Sequence, residues 1–237
     1  MRKNLEYYTR YQVFLNYPFD REFSRMEDAL QFPIVAANLL PLCAKDLSTP
    51  DRPRLDMLVA AISNCHYSLH ELSRSKGEGN DNFARMNMPI ETGMAMFHAL
   101  HTQRRDHRCA FLVATPHDYQ RFASDFAGLD PKCHNNEEDV LVGLVYEWLR
   151  DVVPSTILNL QPTKTVVERY HVYKDRLANV NGSGADDTPS HDERRELMYE
   201  VCQEVGWWDW RNATFGREEF PVLPLLWKAQ RNSPLQN

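Results

Sequence analysis

Short apolar runs alternate along this chain with longer segments whose apolar residues recur every three or four positions. Tyr11 to Tyr17 (YQVFLNY), stopped by Pro18, reads as a buried central strand. Asp20 then caps a helix with Phe23, Met26, Ala29 and Leu30 along one side, a pattern that Pro33 disturbs. Leu39 to Ala44 predicts a second strand, Lys45 to Pro53 a polar loop, and Leu55, Leu58, Val59 and Ile62 a helix of period 3.6. His66 to Leu72 is the third strand and Arg108 to Ala114, halted by Pro116, the fourth. His117 to Phe126 predicts a helix, Gly128 to His134 a short strand or loop, and Glu137 to Val153 a one-faced helix through Val140, Leu141, Leu144, Val145 and Trp148. Alternation of this kind predicts an α/β core over residues 8–153: a flavodoxin/Rossmann-like parallel sheet with helices on both faces, and Val13 to Leu15, Leu69 and Phe111 to Val113 buried in it.

Past Pro154 the pattern changes to a helical, aromatic-rich C-terminal extension over residues 154–237. Helices are expected at Thr165 to Asn179 and Glu193 to Val205, with a linker of Gly, Ser and Asp between Asn181 and Ser190. Trp207, Trp208 and Trp210 either pack onto the α/β unit or form a surface for a protein partner or a second copy.

One stretch carries a candidate for chemistry. In Arg85 to Phe97 (RMNMPIETGMAMF), Asn87 is a good N-cap and Pro89 is tolerated in a first turn that needs no donor, so a helix starts near Met88 with Glu91 just inside it. Ile90, Met94 and Phe97 predict a buried stripe, with Glu91, Ala95 and His98 on a neighbouring face. Glu91 then either complements the helix dipole or faces a cleft formed by the third strand, the polar loop Ser75 to Ala84 and the helix start.

Composition narrows the classes. With 237 residues and 43% apolar content, the chain can bury one sizeable core, or one core and an appendage. A net charge of -6 gives no basic footprint, so no nucleic-acid partner is expected. No apolar run approaches the roughly 18 residues of a membrane span, and the N-terminal residues lack the apolar core of a signal peptide, so no membrane partner and a cytoplasmic location are expected. Five cysteines without a C-x-x-C pair read as reduced thiols, and nine histidines without H-E-x-x-H predict no metal. Nothing like G-x-G-x-x-G follows the first strand, which disfavours hydride transfer and predicts no resident cofactor.

Tyr11 to Asp20 with its Y-P-F-D end, His70-Glu71-Leu72-Ser73-Arg74, and Asn87 to Gly93 (NMPIETG) together resemble the diagnostic segments of bacterial TIR-like proteins related to nucleoside 2-deoxyribosyltransferases. The resemblance covers roughly residues 8–150. It implies that Glu91 attacks or stabilises the anomeric carbon of a ribosyl group, and that Glu71 is a secondary acid. The physical logic agrees: breaking an N-glycosidic bond builds positive charge on the sugar, which one well-held carboxylate can stabilise or capture. Phosphates or ribose hydroxyls would be held by strand-end groups such as Asn16, Tyr17, Ser73 and Arg74, and by backbone N–H groups at the Asn87 helix start. Tyr17 equally suits closing the core, Ser73 a turn and Arg74 a solvated loop.

Two functions are therefore carried forward. The first is an N-glycosidase that cleaves or transfers the ribosyl unit of NAD-type nucleotides or nucleosides, in bacterial defence by resemblance. The second is a nucleotide-recognition module without turnover that signals to a partner through the C-terminal helices, which Glu71, Thr92 and the long aromatic extension favour.

Overall fold

A computed structural model describes residues 11–47, 53–75, 86–101, 107–121, 124, 128–181 and 189–208. Arg85, most of the polar loop before it, most of the expected linker after Asn181, and Trp210 lie outside the described residues.

Five parallel strands form one sheet in the order β2-β1-β3-β4-β5: β1 Gln12–Asn16, β2 Leu40–Cys43, β3 Tyr67–Glu71, β4 Arg108–Val113 and β5 Lys132–Cys133. The helices are α1 Ser24–Ala36, α2 Arg54–Asn64, α3 Asn87–His101, α4 Glu138–Val152, α5 Thr163–Asn181 and α6 His191–Gln203. This is the expected flavodoxin/Rossmann-like α/β architecture. The chain leaves β1 through α1 to β2, then crosses by α2 to β3 on the other side of β1. The switch point of the sheet therefore lies between the C-terminal ends of β1 and β3, where open α/β sheets bind ligands.

Strand alternation sorts the side chains into two unlike layers. Val13, Leu15, Tyr67, Leu69, Ala110 and Leu112 join one apolar cluster with α1 and α4. Their neighbours Phe14, Asn16, Ser68 and His70 face the other way, beneath α2 and α3, so that this face is half polar.

The α1 side continues into the C-terminal extension. Val166, Tyr170 and Tyr173 of α5, Met198 and Val201 of α6, and Trp207 and Trp208 all belong to the same buried cluster as α1 and α4. Phe32 meets the rings of Tyr170 and Tyr173 at 5.4 and 5.7 Å. Trp207 and Trp208 are thus spent on internal packing. A capping box closes the start of α6, with the Ser190 hydroxyl accepting from Glu193 N–H and the Glu193 carboxylate accepting from Ser190 N–H.

Four local expectations are corrected. Helix α1 runs through Pro33 to Ala36, because proline deletes one hydrogen bond in a helix whose buried face holds it in place. Asp20 caps a 3-10 turn, Arg21–Phe23, that leads into α1. Among the described residues of 117–126, Asp118–Arg121 forms a short 3-10 turn in place of the expected helix, and residues 122, 123, 125 and 126 lie outside the described residues.

The fourth correction concerns α3. Met86 C=O already accepts from Ile90 N–H, so Asn87 is the first helical residue rather than the cap, and Glu91 lies a full turn inside. The predicted stripe is also turned over: Ile90 is 49% and Phe97 64% exposed, while Glu91, Thr92, Ala95 and His98 are buried. The polar sheet face is the reason. Asn16 Nδ2 donates to Met88 C=O (2.8 Å) and reaches the Thr92 hydroxyl (3.3 Å), so the helix turns its small and polar side down.

Candidate active site

Two cavities open at the C-terminal end of the sheet. The larger, about 560 Å³, sits at the switch point and is lined by Asn16, Tyr17, Phe19 and Asp20 after β1, Arg54 at the start of α2, and Met86, Asn87, Met88 and Glu91 of α3. That volume falls in the range of small-molecule sites. The smaller, about 200 Å³, lies past β3 and β4 and is lined by Ser73, Arg74, Ala114, Thr115 and Arg25 among others. The Arg74 guanidinium binds Asp20 (2.9 Å) and Glu22 (2.6 Å), forming a bridge between the two.

Glu91 is the chemically distinctive group of the larger cavity. It is only 7% exposed. Among the described residues it has neither a hydrogen-bond nor an ion-pair partner. Burial pushes its carboxyl up to about 7, against the opposing pull of the Arg54 charge. A carboxylate poised near neutrality beside an open cavity is able to trade protons or to stabilise a developing cation.

Below Glu91 lies a fully bonded polar chain. Asn16 Nδ2 donates to His70 Nδ1 (3.1 Å), His70 Nε2 donates to Ser68 Oγ (3.0 Å), Ser68 donates to His107 Nε2 (3.0 Å), and His107 Nδ1 donates to Cys65 C=O (2.8 Å). This assignment gives each group in the chain a consistent role as donor and acceptor. Burial, aided by the nearby His107, lowers His70 to about 3, so it stays neutral. The chain locks Asn16, and with it the first turn of α3 that presents Glu91.

Among the expected site residues, Asn16, Tyr17, Asn87 and Glu91 come together around the larger cavity. Tyr17 contributes its ring, because its hydroxyl points away and donates to Glu27 Oε1 (2.8 Å). Burial first, then the Cys43 and Glu27 charges, hold that phenol far above its ordinary range, so it is no proton donor to a substrate.

Glu71, Ser73 and Arg74 are not brought to that cavity. Strand alternation turns Glu71 to the α1 and α4 side of the sheet, opposite to His70. There it is completely buried, accepting from Ser73 N–H (2.7 Å) and His134 Nε2 (3.0 Å). Ser73, His134 and Glu71 look superficially like a nucleophile, base and orienting acid. A working triad needs the two imidazole nitrogens to serve different partners. Here Nε2 faces both Glu71 and the Ser73 hydroxyl (3.4 Å), while Nδ1 accepts from Asn136 N–H (3.2 Å). Asn135 and Asn136, both left-handed with φ of 56° and 57°, shape the turn that delivers this bond. Nε2 thus carries the proton and cannot take one from Ser73, whose Oγ also accepts from Ala114 N–H.

Arg54 and Phe19 line the cavity but fall outside the site residues expected from the sequence, as do Pro18, Asp20, Met86 and Met88. Arg54 falls between the polar loop that ends at Pro53 and the helix period that begins at Leu55. The available signal was its place directly after Pro53, at the start of the helix that crosses the switch point.

A second titratable cluster lies behind Tyr17. Glu27, 3% exposed, accepts from Tyr17, Lys45 Nζ (2.8 Å), His191 Nδ1 (2.8 Å) and Arg194 Nη2 (3.0 Å). Burial opposes the charged form, yet the bonds from His191 and Lys45 and the charge of Arg194 outweigh it and hold the Glu27 carboxyl far below the usual range. Cys43, Asp46 and His191 cluster with the spacing of metal ligands. The cation there is already Arg195, with Nη2 at 2.8 Å from His191 Nε2 and 3.1 Å from Asp46.

Among the described residues no helix is long and apolar enough to cross a membrane. Comparison with protein-family models, with curated proteins and with solved structures finds no match to this chain.

Proposed function

We propose that this chain is an N-glycosidase of the TIR-like, deoxyribosyltransferase-like kind that three of its segments resemble, acting on NAD-type nucleotides or nucleosides, with bacterial defence as its setting. The observation that carries the reading is Glu91: a buried carboxylate without a partner among the described residues, facing a nucleotide-sized cavity at the switch point. As the C1′–N bond breaks, its electron pair leaves with the base and positive charge grows on the sugar. Ionised Glu91 stabilises that charge or captures C1′ as an ester. In hydrolysis, water then gives hydroxide to C1′, and its proton goes to the departing base of a nucleoside or, where nicotinamide leaves a pyridinium as a neutral molecule, to solvent; in transfer, another acceptor takes the place of water. No resident cofactor takes part, since the nucleotide is the substrate. Because the carboxyl sits at about 7, the active ionised fraction rises with pH through neutrality.

Release of base from a panel of NAD, NADP and nucleosides by purified protein tests the reading. It should be present in wild type and lost in Glu91→Gln. Wild type that binds nucleotide, with an affinity Glu91→Gln leaves unchanged, and releases no base would overturn it in favour of a recognition module. One observation speaks for that second reading: Ile90, Phe97 and Leu100 of α3, with Leu55 and Val59 of α2, are exposed apolar residues on two neighbouring helices, available to a protein partner or a second copy. The C-terminal helices, by contrast, spend their apolar residues on α1 and α4.

A further inference from the structure

We propose that Arg54 is the specificity-determining residue of the Glu91 cavity and selects a ligand bearing a phosphate group over its uncharged counterpart. The inference rests on the N-glycosidase reading of the same site and names the substrate class within it: a nucleoside 5′-phosphate rather than a free nucleoside. Three observations carry it.

The cavity holds two charges that the fold leaves unpaired among the described residues. Glu91 lies on one wall, buried and without a hydrogen bond. Arg54 lies on another, close enough to pull on the Glu91 charge, and its one described partner is the face of Phe19, at 5.8 Å from the ring centroid. Among the described residues, Asp20 and Lys45 near the cavity are committed. Asp20 is held by Arg74 at 2.9 Å, and Lys45, which lies over the Phe19 ring at 5.0 Å from its centroid, is held by Glu27 at 2.8 and 2.9 Å.

An aromatic face orients a guanidinium without consuming its N–H donors. Arg54 therefore keeps its planar fork of donors for an oxyanion, the geometry that phosphate oxygens match in pairs. Phe19 is itself fixed edge-on by Tyr17, with ring centroids 4.9 Å apart and planes at 80°, so the cation is carried on a braced platform. A ligand satisfying both walls must offer hydroxyl or electron-poor carbon to Glu91 and an anion to Arg54. A ribosyl unit with a phosphate at its 5′ end has that polarity, whereas a nucleoside leaves the arginine unanswered.

The test compares wild type, Arg54→Gln and Arg54→Lys on adenosine and adenosine 5′-monophosphate, following adenine release, with equilibrium dialysis of both compounds in parallel. Arg54 is on the surface, and equal melting temperatures confirm that the variants fold. Wild type should favour the monophosphate by at least about tenfold in kcat/KM, as expected for a charge-assisted contact. Arg54→Gln should lower kcat/KM for the monophosphate by about tenfold more than for adenosine, any loss common to both compounds reporting the withdrawn pull of the Arg54 charge on Glu91, and Arg54→Lys should partly restore the ratio. Equal losses on both compounds, or no loss on either, would overturn the role of Arg54. If wild type turns over neither, the glycosidase reading is decided by the wider panel of NAD, NADP and nucleosides, and dialysis decides the anchor. Tighter binding of the monophosphate than of adenosine, erased in Arg54→Gln, supports it, and indifference to the substitution rejects it.

Discussion

Glu27 and Glu91 are both more than nine-tenths buried and both lie near the C-terminal end of the same sheet, yet they have opposite fates. Glu27 stands on α1, where Lys45, His191 and Arg194 converge on it and keep it ionised. Glu91 stands on α3 with no such partner among the described residues, and burial drives it toward the neutral form. Burial alone does not decide whether a carboxylate is structural or reactive; the supply of donors does. The α1 side saturates its acid and binds the C-terminal extension with it. The α3 side leaves its acid to whatever enters the cavity.

The largest expected effect comes from emptying the saturated side. Glu27→Ala leaves Lys45, His191 and Arg194 without their shared anion, and should cost about 3–5 kcal/mol in urea unfolding, with α6 losing amide protection first. A cost below about 1 kcal/mol would mean that the cluster holds little.

Glu91→Gln should act in the other direction. Base release should fall at least about a hundredfold, roughly 3 kcal/mol of transition-state stabilisation, while the fold gains. The folded carboxyl titrates at about 7 and the unfolded one at about 4.3. Between those values the folded state binds more protons, so stability falls as pH rises and the penalty is complete above pH 7. The variant should therefore be more stable than wild type by about 1–3 kcal/mol at pH 8 and by little at pH 5. A stability difference independent of pH would break the contrast between the two acids.

His191 sharpens it from the alkaline side. Burial opposes its charge, but hydrogen bonds with Asp46, Cys43 and Glu27 raise it to about 10. Its contribution is fully present below the unfolded value of about 6.5 and lost as pH rises through the folded one. His191→Gln should cost about 2–3 kcal/mol at pH 6, and the gap from wild type should close near pH 10. The smallest effect is expected at the α3 surface, where Ile90→Ser and Phe97→Ser should each change stability by less than about 0.5 kcal/mol. A larger loss that depends on protein concentration would show that this stripe is covered in solution by a second copy.

The sheet was legible because its central strands are short, apolar and separated by amphipathic helices; YQVFLNY could hardly be anything else. Glu91 was legible through a local cue, a carboxylate just inside a helix start. What misled was periodicity in α3. Ile90, Met94 and Phe97 have helical spacing, but spacing cannot say which face is down when the surface beneath is polar, and the polarity of that surface comes from Asn16, Ser68 and His70, distant in sequence. Glu71 and Arg74 lie away from that cavity for a similar reason: adjacent letters along a strand and its end alternate between faces, and their partners His134 and Asp20 are far along the chain. The α6 seam had one visible sign, the Ser190 to Glu193 capping box, while the acids it meets lie some 150 residues earlier and could be paired only by folding.

A row of donors that all point the same way can be mutated only in concert. From Asn16 to the Cys65 carbonyl each group has a single allowed role, so replacing Ser68 by alanine leaves a ring nitrogen without its partner on either side, and replacing His70 leaves Asn16 only its bonds to Met88 and Thr92. Lineages drifting from this sequence should therefore keep Asn16, His70, Ser68 and His107 as a block or exchange them together for apolar residues. The chain would then be inherited like a single character, distinguishable from the freely varying exposed stripe of α3 as soon as sequences of common descent are laid side by side.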